Sequence, residues 1–168
     1  MKNVKLKALL HVFMFTISFV LVNACGGGKT SSGSLGSFVA IMQVDEPIEG
    51  VCDNDKVYAI LPLGDNGQVK AQSPKTNEEI AQMLNAEVTF LKDNTSYSDK
   101  GMVRLIVNCK GEMVQCAIDN KTKSAELDAQ IVAVFNTLKS WEAATMNGTP
   151  VDSSVLISFT IKNGTIEL

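Results

Sequence analysis

The sequence predicts an α+β fold in which two helices pack on one face of a small antiparallel sheet, with a β segment added at the N-terminal side. Three patterns carry this expectation. Leu127, Ile131, Val134, Phe135 and Leu138 recur at helical spacing and make one apolar stripe. Val155, Ile157, Phe159 and Ile161 alternate with Ser158 and Thr160, as in a strand with one buried face. Val103, Leu105 and Val107 alternate with Arg104, Ile106 and Asn108 in the same way, so the stripe has a sheet to close on.

The chain opens with Lys2, Lys5 and Lys7, an apolar run from Ala8 to Val22, and then Asn23-Ala24-Cys25. A charged start, an apolar stretch and a small residue before a cut site make residues 1–25 read as a secretory signal. The fifteen residues of the run reach only about 22 Å as a helix, short of a hydrocarbon layer of roughly 30 Å, which disfavours a permanent span. Leu21-Val22-Asn23-Ala24-Cys25 also resembles the lipobox of bacterial lipoproteins, although Asn23 is an unusual occupant. That resemblance implies a diacylglyceryl anchor on Cys25 and cleavage before it, which holds a protein on a membrane surface.

Loss of residues 1–25 removes three of fifteen basic residues and no acid, leaving twelve against eighteen and a net charge of −6. Such a balance disfavours nucleic acid as a partner. The sole histidine, His11, leaves with the signal, and with it histidine-based acid–base chemistry and histidine-ligated metal. The remaining length suits one domain, or one domain with an appended hairpin.

Residues 26–37 form a Gly/Ser linker, a flexible tether with a reach of roughly 20 Å. Residues 38–74 read as a β-rich extension. Phe38 to Val44 is one strand, Lys56 to Leu61 a second, and Gly64-Asp65-Asn66-Gly67 turns the second into a hairpin with Gln68 to Ala71. Asp53, Asp55 and Asp65 are turn residues, without the spacing of a calcium loop, and no metal or cofactor is expected.

Residues 75–168 form the main domain. Thr76 and Glu79 make a capping box for a helix over Asn77 to Leu91. A strand from Gly101, a turn at Asn108-Cys109-Lys110-Gly111 and a return strand from Met113 to Ile118 follow, with broken alternation that predicts a bulge. Ser124 caps the central helix, expected to end at Trp141, which is read as a core cap. Asn147-Gly148-Thr149-Pro150 is a turn, Val155 to Ile161 the final strand, and Thr165 to Leu168 a tail.

Among the cysteines beyond Cys25, a Cys109–Cys116 bond is disfavoured, because Cys116 lies roughly 15 Å down its strand from the turn. Cys52 with Cys109, Cys52 with Cys116, or three free thiols remain open.

Gly101 to Val107, the turn ending in Gly111, Leu127-Asp128, Trp141 with Ala144, Gly148, Val151 and Phe159-Thr160-Ile161 resemble TonB C-terminal domains in order and approximate spacing. The similarity spans roughly residues 75–168. Asn108, Cys109 and Lys110 depart from the acidic turn usual there, and Ala143 from a common proline. The resemblance implies a split β-α-β arrangement with the last strand at a sheet edge, and a module that grips an extended peptide of a transporter by strand addition. The carrying segment is Ser154 to Thr160, with Ser154, Leu156, Ser158 and Thr160 as partner-binding candidates. The strand at residues 56–61 is the segment able to seal that edge instead.

In that family the domain ends an energy transducer with an inner-membrane helix and a proline-rich reach. This chain has four prolines and a lipobox-like start. The expectation is therefore a lipid-anchored protein of the bacterial envelope, at the outer membrane facing the periplasm or the cell surface, holding a protein or peptide segment in connection with TonB-dependent transport. The alternative is a transducer whose residues 8–24 stay uncleaved as an inner-membrane anchor. No enzyme is expected: glycine-rich phosphate loop and serine elbow are both missing, and Cys109 beside Lys110 is the single candidate nucleophile, better read as inert or disulfide-bonded.

Overall fold

The computed structural model describes residues 39–60 and 67–168. The signal with Cys25, the linker, and positions 61–66 of the expected hairpin lie outside the described residues. In chain order the elements are β1 (Ala40–Met42), β2 (Val57–Ala59), β3 (Gln68–Val69), α1 (Asn77–Glu87), α2 (Phe90–Asp93), β4 (Asp99–Val107), β5 (Met113–Asn120), α3 (Ala125–Phe135), β6 (Ala144–Met146), β7 (Thr149–Val151), β8 (Ser153–Lys162) and β9 (Thr165–Glu167). The fold is mixed α+β, with an open sheet.

The helices start where their caps put them. The Thr76 hydroxyl accepts from the Glu79 N–H while the Glu79 carboxylate accepts from the Thr76 N–H, and Ser124 accepts from the Leu127 N–H. They end earlier than the apolar stripes do. α1 stops at Glu87 because Val88 is extended, and the Gln130 side-chain oxygen of α3 accepts from the Phe90 N–H at 3.0 Å, starting the separate short helix α2. α3 stops at Phe135 and not at Trp141. The Thr137 N–H and hydroxyl both bond the Val134 carbonyl, at 3.0 and 2.7 Å, tightening the last turn, and Ser140 has φ 63°, which no α-helix continues through. Leu138 and Trp141 stay buried all the same, so the periodicity reports burial beyond the point where the helix has ended.

β4 is central to the packing. Val103, Leu105 and Val107 join Phe159 and Ile161 of β8 under Ile80 and Leu84 of α1 and Leu127, Ile131 and Phe135 of α3. Burying such side chains is worth about 2 kcal/mol each. The return strand carries the expected irregularity: register shifts between Met102 and Val103 and between Ile106 and Val107 skip Asp119 and Val114 of β5. Ile106, expected to face away from the core, is also fully buried. Asn108 shares its face and donates to the Gly50 carbonyl at 2.8 Å, so the N-terminal extension covers that end of the sheet.

The sheet departs from the expectation in three ways. It has six strands in the order β1-β2-β8-β4-β5, with β9 also on β8, and the β2–β8 pair is parallel, so the sheet is mixed and not purely antiparallel. The expected hairpin of residues 56–61 with Gln68 to Ala71 does not form. β2 pairs with β1 and β8, while β3 pairs with β6 in a second, three-stranded sheet completed by β7. Finally, the last long strand is not at an edge. The tail folds back as β9 through Asn163 (φ 48°) and Gly164 (φ 72°), so β8 has neighbours on both sides.

Gly111 closes the β4–β5 turn with φ 78°, and a Cβ there would lie 2.2 Å from the Trp141 carbonyl oxygen. Gly111→Ala adds left-handed strain to a backbone clash that no rotamer relieves. A loss of about 3 kcal/mol is expected, read as a lowered urea midpoint with an unchanged m-value.

Candidate functional site: an open stretch of the central strand

β8 pairs with β4 along its whole shared length, from Asp99 opposite Ile161 to Val107 opposite Ser153. Its other side is occupied only at the two ends. Ser153 and Ser154 lie opposite Tyr58 and Ala59 of β2, and Thr160 to Lys162 lie opposite β9. Val155 to Phe159 have no partner strand on that side among the described residues.

The direction of the main-chain groups follows from the hairpin. A two-residue turn with both residues at positive φ makes its flanking pair, Lys162 and Thr165, exchange hydrogen bonds, and along an antiparallel strand this alternates. Even-numbered residues of β8 therefore direct N–H and C=O away from β4. The Tyr58 N–H bonding the Asp152 carbonyl at 2.9 Å obeys the same alternation. Of the four expected partner-binding residues, Ser154 faces β2 and Thr160 faces β9, whereas Leu156 and Ser158 face the open stretch. The expected edge thus shrinks to its middle, because β2 and β9 cover the rest.

The stretch is the floor of a bay. Lys70 to Asn77 form the facing wall, held by β3 on β6 and by Gln72, whose N–H and C=O pair with Glu142 at 3.0 and 2.9 Å. One cleft of about 650 Å³ runs between this wall and Val155 to Ser158. A second, of about 250 Å³, continues from it to the end of β2 and is lined by Ala59, Ile60, Lys70, Ala71 and Ser153 to Leu156. Leu156 is 56% exposed, the most exposed large apolar residue described. Trp141 lines the larger cleft but is 5% exposed, and its indole N–H bonds the Leu138 carbonyl at 3.3 Å, so it caps the core and offers no stacking platform.

A second corner fixes the N-terminal end of β8. Cys52 is bonded to Cys109, with Cα atoms 6.1 Å apart, and Cys116 is the free thiol among the described residues. The buried Asp152 carboxylate accepts from the N–H groups of Cys52 and Asp53 at 2.8 and 2.7 Å on one oxygen, and from that of Cys109 at 2.8 Å on the other. Both sulfurs and the carboxylate lie within 4.8 Å of one another, but the sulfurs are joined in the disulfide and the carboxylate accepts three amides, so the cluster is held together by its own bonds. Nearby, the Asp55 amide and the Lys56 ammonium hold the Asp53 carboxyl below its ordinary value, and Asp53 raises Lys56 in return. Nothing in the sequence marked Asp152, because an acid before a strand looks like any turn residue.

Burial pushes the Cys116 thiol up to about 11. At pH 8 its thiolate is then on the order of one part in a thousand, too scarce to attack the disulfide. Iodoacetamide at that pH should leave Cys116 unmodified in the native chain and alkylate it after denaturation, as read by peptide mass mapping.

Compared with protein-family models, curated proteins and solved structures, the chain shows no match. No helix among the described residues is long and apolar enough to cross a membrane.

Proposed function

We propose that this chain is a lipid-anchored module of the bacterial envelope, held by Cys25, that binds a protein or peptide segment by adding it as a strand beside Leu156 to Ser158. The reading joins the likeness to TonB C-terminal domains with one observation, the middle of β8 between β2 and β9, unpaired among the described residues. Unpaired N–H and C=O groups beside an exposed leucine are what an extended peptide recognises, and the flanking strands set its length and register. The outer edge of β5 is longer, but its two bulges twist and interrupt it, a usual way of blunting an edge. A link to TonB-dependent transport belongs to the same proposal.

Ser158→Pro tests the mode directly. It deletes an N–H that faces the bay and leaves the ladder with β4 intact, so the near-ultraviolet circular dichroism should persist while peptide binding is lost. In amide exchange on the isolated chain, Leu156 and Ser158 should exchange faster than Ile157, whose N–H is in the β4 ladder. Equal, strong protection of all three would mean that the bay is already filled, and strand addition would be wrong. The anchor is tested by mass. A diacylated N-terminus at Cys25 supports it, whereas an intact Met1 favours a transducer with residues 8–24 uncleaved.

A further inference from the structure

We infer that the bay receives the C-terminal end of a polypeptide, with an apolar last residue and its carboxylate beside Lys70 and Ser153. The inference rests on the strand-addition reading and names the kind of peptide.

Among the described residues the bay is open for five positions, Val155 to Phe159, or about 16 Å of strand. β2 stands in the same row and ends against Ser153 and Ser154. β8 runs from Ser153 to Lys162, so a guest lying antiparallel to it travels toward Ser153 and meets the end of β2. A chain that stops there fits without turning; a continuing chain must leave the row.

The chemistry at that stop selects which chain end it is. The smaller cleft lies there, and Ala59, Ile60, Ala71, Val155 and Leu156 give it an apolar lining that suits one aliphatic side chain. Two polar groups at the cleft bear on the choice. Lys70 is exposed and has no ion pair among the described residues, although the chain as a whole is acidic. Ser153 is 1% exposed and its hydroxyl has no hydrogen-bond partner among the described residues, which is costly unless something else supplies one. A cation and a free O–H donor suit a carboxylate and repel an ammonium, so the end is a C-terminus. The other ionisable residues at the bay, Lys75 and Glu79, lie 4.0 Å apart and offset each other.

The test passes the full chain in detergent over two immobilised libraries of random hexapeptides, one ending in free carboxylates and one in carboxamides. The expected result is retention of free-acid peptides with aliphatic last residues, at least tenfold weaker binding of their amides, and loss of binding in Lys70→Glu. Ser153→Ala should weaken binding severalfold while leaving the unfolding midpoint unchanged or higher, a combination that a purely structural serine would not produce. Equal binding of acids and amides, or unchanged binding in Lys70→Glu, overturns the C-terminal inference and leaves strand addition standing. No retention from either library, with the Leu156 and Ser158 amide resonances unmoved, overturns both.

Discussion

Replacing Cys52 and Cys109 together by serine is expected to lower the free energy of unfolding by about 4 kcal/mol. The bond joins residues 57 apart in sequence, and closing a loop of that length removes about this much chain entropy from the unfolded state. The loss should appear as a lowered urea midpoint in oxidising buffer, and reductant should shift the parent protein by the same amount. The folded chain keeps its architecture, because the Asp152 carboxylate still holds the amides of residues 52, 53 and 109. A change under about 1 kcal/mol would show that the unfolded chain is already constrained without the bond.

Asp152→Ala is expected to cost a similar amount, about 4 kcal/mol, by a different route. Three backbone N–H groups lose a charged acceptor inside a site where Asp152 itself is 2% exposed, and a hydrogen bond to a charged group is worth about 1.5 to 3 kcal/mol. The sum is discounted because Cys52 is exposed and water can reach part of the corner. The control is Asp119→Ala, which breaks the ion pair with Arg104 at 3.3 Å. Both partners there are about a third or more exposed, and the expected cost is below about 1 kcal/mol. Because Asp152 and the disulfide hold the same two residues, combining the changes should cost less than the separate losses added together. Full additivity would mean that the carboxylate and the bond act on independent parts of the corner.

This corner also decides how much of β8 is free. It holds the extension so that β2 lies on Ser153 and Ser154, and so stops the bay at one end. The proposed function therefore depends on a partial seal. β2 reaching five residues further would close the bay, and without β2 there would be no stop to select a chain end.

Local chemistry was legible where a residue answers to its near neighbours. The capping box at Thr76 and Glu79, the Ser124 cap, the glycine at 111 in the left-handed region and the bulged return strand all follow from contacts a few residues apart. The hairpin of β8 and β9 was also within reach, since Asn163-Gly164 is a strong two-residue turn signal, although Thr165 to Leu168 was read only as a tail. The Cys52–Cys109 bond was one of several pairings open, because spacing restricts and does not choose.

By itself, then, the sequence determined where the helices start, which residues of α1, α3 and β8 face the core, and that Leu156 and Ser158 belong to a strand with a polar face. Tertiary structure alone decided where the helices end, through the Gln130 contact and the turn after Phe135, and which strands are neighbours. The physical reason is that caps, turns and alternation are short-range, whereas pairing β2 with β8 brings together residues roughly a hundred apart, and only the competition among all possible neighbours decides which main-chain groups are paired.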